Sequence, residues 1–190
     1  MSVVASNVEL ERRWSEWLLR RNRRGMLGVL WIVVCLYPLF GVLDYLVAPR
    51  DALGFLYWTR GIVTAITLVL FRLVERDLFR RHPNAISASY MILISLGISL
   101  MTIFMGGLAS PYYAGLSLVI VGSALLFVWP PHVVAITYAV MVAGFLASNL
   151  LVNNVTNLFT GISNQFFLIS TAIIAGTGQM LGYRSEHEQL

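Results

Sequence analysis

Of the 190 residues, 58% are hydrophobic and 12% are charged, which excludes a soluble globular domain of ordinary make-up. The net charge of +4 comes from 13 arginines, with no lysine, against nine acidic residues. The arginines cluster beside apolar runs, a pattern that speaks for membrane orientation and against nucleic acid as a partner.

The chain opens with a polar stretch, Met1–Leu10, and its first apolar run is too long for the core of a cleavable signal peptide. Ser6 and Glu9 have the spacing of a capping box, in which hydroxyl and carboxylate satisfy the free N–H groups of a helix start. Leu10, Trp14, Trp17 and Leu18 then recur at helical spacing opposite Arg12, Arg13, Arg20 and Arg23. Residues 7–24 are therefore expected to form an amphipathic helix in the headgroup region, as a plain anchor or as a contact for a signalling partner.

Six apolar runs follow: Met26–Val47, Phe55–Val74, Ala85–Met105, Tyr113–Val128, Val133–Val152 and Ile162–Tyr183. Most approach the roughly 20 residues that a helix needs to cross a hydrocarbon core. The predicted fold is an all-α polytopic membrane protein, with six transmembrane helices in three hairpins plus the N-terminal amphipathic helix. Residues 1–25 precede the membrane domain, which covers 26–183. Pro38 should kink the first span, because it lacks an N–H and its ring crowds the preceding turn. The connections are a short Ala48–Gly54 loop, a charged Arg72–Pro83 loop with Pro83 starting the third helix, and a tight Gly106–Tyr112 turn. An abrupt Trp129-Pro130-Pro131-His132 turn and a polar Asn153–Gly161 loop complete them.

Six arginines (12, 13, 20, 21, 23 and 24) precede the first span, four (72, 76, 80 and 81) join the second to the third, and Arg184 follows the sixth. Only Arg50 and Arg60 lie towards the other side. The positive-inside bias predicts that both termini are cytoplasmic. Cys35 lies inside the first span, so no intrachain disulfide can form.

Asp44 and Arg60 sit about one turn inside the outer ends of the first two spans. A short loop makes these helices antiparallel neighbours, so the two charges can meet at matching depth. Ionisable groups below a membrane surface are costly unless paired. The pair is either a structural tie for the first hairpin or the floor of an outward-facing pocket. Tyr112, Tyr113, Asn149, Asn164 and Gln165 fall at the same level, where buried amides need hydrogen-bond partners. Tyr45, Tyr57 and Trp58 flank the first hairpin as an interfacial belt. The candidate ligand site is thus Asp44, Arg60, Tyr112, Tyr113, Asn149 and Asn164, suited to a lipid or small amphipathic ligand.

His82, His132 and His187 all fall on the arginine side, but no two have ligand spacing and none lies deep in a span. No metal site and no cofactor are expected. The chain has no Walker loop, no HExxH and no credible Ser-His-Asp arrangement, so it is read as not itself an enzyme. Ala139, Ala143 and Ala147 form a small-residue stripe in the fifth span. Gly178 and Gly182, preceded by Ala172 and Gly176, form another in the sixth. Such stripes let helices approach closely, either within the chain or at a homodimer seam.

Gly107-Leu108-Ala109-Ser110-Pro111-Tyr112-Tyr113-Ala114-Gly115-Leu116, Asn164-Gln165-Phe166-Phe167-Leu168 and the closing Tyr183-Arg184 carry a resemblance. The chain resembles the N-terminal six-helix membrane domains of bacterial sensor histidine kinases and membrane-bound class III nucleotide (adenylate) cyclases. The likeness rests on motif over roughly the second half and on topology elsewhere. It implies the bacterial cytoplasmic membrane, dimerisation and sensing. It also implies that Ser185–Leu190, within residues 184–190, begins a signalling helix leading to a cytoplasmic kinase or cyclase output domain. The expected function is a sensory module that passes an outer-side signal down the sixth helix through Gly178 and Gly182. A passive dimerising anchor and a small transporter or channel subunit are the competing readings.

Overall fold

The structure, a computed structural model, describes residues 2–151 and 157–188. Among these residues there are seven α-helices, one 3-10 turn and no strand. The helices are α1 (Ser2–Val47), α2 (Leu53–Leu73), α3 (Asp77–Arg81), α4 (Pro83–Phe104), α5 (Tyr113–Leu126), α6 (Pro131–Leu151) and α7 (Leu158–Glu188), with the 3-10 turn at Gly107–Ala109. Five of them, α1, α2, α4, α6 and α7, are long and apolar enough to cross a membrane. The architecture is that of an all-helical, multi-pass membrane protein.

The first departure from expectation is at the N-terminus. No separate interfacial helix precedes the first span: α1 is one helix of 46 residues, about 70 Å at 1.5 Å per residue. The backbone is already helical at Ser6, so no capping box starts there. The segment is rich in Arg, Leu and Glu, which favour helix, and has no proline before Pro38. Glu9 instead bonds forward to Arg12 (2.8 Å) and Arg13 (3.1 Å), which hold its carboxyl at about 2, well below the usual carboxylate range. The helix also continues through Pro38 without interruption.

The second departure is the fourth predicted span. Its helix, α5, has only 14 residues, about 21 Å, against the roughly 30 Å of a hydrocarbon core. It stops because Pro130 has no N–H to bond Leu126 O and in a helix its ring would crowd that carbonyl; Phe127 is already extended at φ −115, ψ 149. The apolar residues after Leu126 continue the run in sequence but serve burial, not helix: Phe127 and Trp129 stack at 4.9 Å with their rings 7° from parallel, and Trp129 is fully buried.

Irregular backbone at this depth is tolerated only where protein satisfies its polar groups, and here three side chains, Asn22, Gln179 and Arg21, do so. Asn22 of α1 donates to Val128 O (3.0 Å) and Asn84 Oδ1 (2.8 Å), and accepts from Val128 N (2.8 Å). Gln179 of α7 donates to Phe127 O (3.0 Å), Arg21 to Leu125 O (3.4 Å), and Trp129 Nε1 donates to Ser87 Oγ (2.9 Å).

The hairpin picture also changes. Sequential spans do touch, but α4 packs most extensively on α6, and α5 on α7. α4 is the most buried span and also contacts α1, α2 and α5. Small residues permit this. A Cβ on Gly97 would lie 3.2 Å from the Tyr37 hydroxyl, and one on Gly144 would lie 2.8 Å from Leu96 Cδ2. The expected Gly106–Tyr112 turn is present, with Gly106 and Gly107 at φ 99 and 62, where a side chain would be strained. The last loop is shorter than expected because Gly161 already lies within α7; Val152 and residues 153–156 lie outside the described residues.

Gly25 tests the contact between α1 and the end of α5. A Cβ there would fall 2.0 Å from Leu126 O, whereas one on Gly28 would meet only Leu126 Cδ2 at 3.8 Å. Gly25→Ala is expected to lower unfolding stability in detergent by about 1–3 kcal/mol, the usual cost of overpacking, while Gly28→Ala leaves it unchanged or slightly raised.

Candidate functional site

The short connection between α1 and α2 brings Asp44 and Arg60 together as a two-pronged ion pair. Arg60 Nε donates to Asp44 Oδ2 at 2.6 Å, and a terminal guanidinium nitrogen donates to Oδ1 at 2.9 Å. Asp44 is fully buried and Arg60 is 6% exposed. The guanidinium also donates to the Tyr37 carbonyl (3.2 Å), and its carbon lies 5.0 Å from the Tyr37 ring centre and 5.9 Å from that of Phe40. Planar, delocalised Arg suits such a site better than Lys would, because it bonds in two prongs and faces rings at once. The Tyr112 hydroxyl, from the residue preceding α5, donates to Asp44 Oδ1. Three segments of chain thus converge on one carboxylate.

Of the other expected site residues, none joins this cluster. Asn149 on α6 donates to Phe145 O (2.8 Å) and Thr102 Oγ1 (2.9 Å), tying α6 to α4. Asn164 on α7 donates to Leu108 O (3.0 Å) and Ser110 O (3.4 Å), tying α7 to the 3-10 turn. Tyr113 packs half-buried against the apolar core, because consecutive helical residues point about 100° apart and Tyr112 takes the inward direction. The buried amide atoms of Gln165 find no partner among the described residues. The polar level is a set of separate ties.

Sequence reasoning missed a second polar level at the arginine end. Beside the Asn22 contacts, the Tyr138 hydroxyl of α6 donates to Gln179 Oε1 (2.9 Å) and lies 2.9 Å from Ser123 Oγ of α5. Asn22 sits within an arginine tract that reads as solvated, and only its lack of charge there hints at a different role. Beyond this level, Trp14 is buried rather than lipid-facing. Its ring stacks on Trp17 (5.1 Å) and meets the edges of Tyr183 (5.5 Å) and His187 (5.0 Å) on α7. His187 is thus an aromatic contact, and among the described residues no three His, Cys, Asp or Glu side chains gather to hold a metal.

Gly178 and Gly182 face away from the bundle: a Cβ built on either meets nothing within 4 Å. On that side they leave α7 a bare strip.

No family model, no curated protein and no solved structure matches this chain. The resemblance to sensor and cyclase membrane domains therefore rests on the residues quoted for it.

Tyr112→Phe removes a hydrogen bond to a charged acceptor and is expected to cost about 1.5–3 kcal/mol of unfolding stability. Tyr113→Phe should cost nothing measurable, and denaturant titration of both variants in the same detergent reads the difference.

Proposed function

We propose that this chain is the sensory membrane module of a bacterial signal-transduction receptor, with both termini in the cytoplasm and a dimeric working state. The observation that carries the reading is the arrangement around Asp44. The ion pair is buried, its carboxylate already takes three donated bonds, and Tyr112 at its edge is half-exposed. A lipid or small amphipathic ligand entering from the outer side has to displace Tyr112, which frees the start of α5 from α1 and α2. Such a ligand acts by preferring the opened packing over the closed one.

The output route differs from one running through Gly178 and Gly182. α1 is continuous from Asp44 to Trp14, and Trp14 grips Tyr183 and His187 on the inner extension of α7. Movement of α1 at the outer end therefore reaches the segment that leads out of the membrane. Gly178 and Gly182, bare on the far side of α7, are assigned to the seam between two copies. A passive dimerising anchor is the rival reading, favoured by the closed, saturated state of the Asp44 cluster.

The two readings separate in a fusion joining Leu190 in helical register to a dimeric adenylate cyclase. Tyr112→Phe opens the cluster without any ligand and is expected to shift basal cyclase output at least about fivefold, the low end of ordinary coupling. Trp14→Ala in the same chain should cancel that shift. Unchanged output in Tyr112→Phe, with normal membrane insertion, supports the passive anchor instead.

A further inference from the structure

A groove of about 410 Å³ runs between α6 and α7 at their arginine-side ends. Its α7 wall is Ile169, Ala172, Ile173, Gly176, Thr177 and Met180, one face of that helix at three- and four-residue spacing. Opposite them, Ala135, Ala139 and Val142 form the α6 wall. The groove exists because small residues stand where larger ones would close it, and a Cβ on Gly176 already meets the Tyr138 ring at 3.4 Å. From Ile169 to Met180 the stripe rises about 16 Å, close to half of a roughly 30 Å hydrocarbon core.

The stripe does not end in apolar residues. One turn beyond Met180 the same face of α7 carries Arg184, and His132 lies one turn before Ala135 on α6; both are exposed. An apolar channel one leaflet deep thus opens beneath the arginine of α7. Apart from Thr177 and Tyr138 the lining is apolar, and a chain of methylenes beneath a phosphate matches both parts.

We propose that the α6/α7 groove is a binding site for one anionic phospholipid of the arginine-side leaflet, its acyl chain along Ala139, Ala172 and Gly176 and its phosphate at Arg184. This site is distinct from the Asp44 cluster, which lies at the opposite end of the bundle. It also leaves the homodimer seam free, since Gly178 and Gly182 face away from the groove on α7. Basic residues at the inner mouth of an inter-helical groove hold lipid headgroups by local charge that zwitterionic lipid answers less well.

The test is native mass spectrometry of the purified chain, delipidated and titrated with phosphatidylglycerol or with phosphatidylcholine of the same acyl composition. Phosphatidylglycerol should bind preferentially, and Arg184→Gln should weaken it about fivefold while leaving phosphatidylcholine unaffected. Ala139→Phe combined with Ala172→Phe fills the channel and should weaken both lipids. Arg76→Gln, an exposed arginine outside the groove, should change neither. Equal binding of the two lipids overturns the proposal, as does loss with Arg76→Gln matching that with Arg184→Gln. A dimer that the paired Phe variant splits into monomers also overturns it, by assigning the groove to a second copy.

Discussion

The ion pair between Asp44 and Arg60 is the contact on which the half of the bundle at the α1–α2 loop depends. Removing two charges from water is expensive, and their attraction offsets that cost only when geometry is good and the remaining donors and acceptors are used. Both conditions hold here: two N–H···O bonds join the pair, Tyr112 occupies a further position on Asp44, and the Tyr37 carbonyl and ring face the guanidinium. The consequence is asymmetric. The intact pair adds modest net stability, but losing either member strands the other in an apolar setting. It therefore specifies which helices meet more than it drives them together.

That distinction matters throughout this molecule. In lipid, apolar side chains gain little by leaving one hydrocarbon surface for another, so close backbone approach and polar ties decide which helices pair. The structure has such ties at both ends. Those at the α1–α2 loop end join α1 to α2 and α5, α4 to α6, and α7 to the 3-10 turn. Those at the arginine-rich end, through Asn22, Ser87, Tyr138 and Gln179, hold the broken end of α5. Between them lie close contacts at Gly97 and Gly144. α1 takes part at both ends as one uninterrupted helix.

The legible part of the sequence was whatever follows from depth. Asp44 lies three residues before the end of α1 and Arg60 seven after the start of α2, within two turns of one short loop, so their pairing needs no knowledge of the rest of the fold. Asn149 and Asn164 were legible as groups that require partners, yet the partners themselves, Thr102 and the Leu108 and Ser110 carbonyls, depend on α4 packing against α6 and on α7 reaching the turn. Hydrophobicity misled at Phe127 and Val128, because an apolar residue buried in irregular backbone reads the same as one in a helix; only Pro130-Pro131 warned of the break. Trp14 misled in the same way, since an aromatic face that suits headgroups equally suits the edge of Tyr183 and His187. Adjacent Tyr112 and Tyr113 were not separable without the phase of α5.

A double-mutant cycle on Asp44 and Arg60 tests the central claim most directly, with unfolding free energies of Asp44→Ala, Arg60→Ala and the double variant measured in one bicelle composition. Each single change should cost about 3–5 kcal/mol, the cost of breaking a buried pair. The double variant should cost less than their sum by at least about 2 kcal/mol, because the second substitution removes the stranded charge. Effects that add to within about 0.5 kcal/mol, with each single change under about 1 kcal/mol as for an exposed pair, would contradict the account.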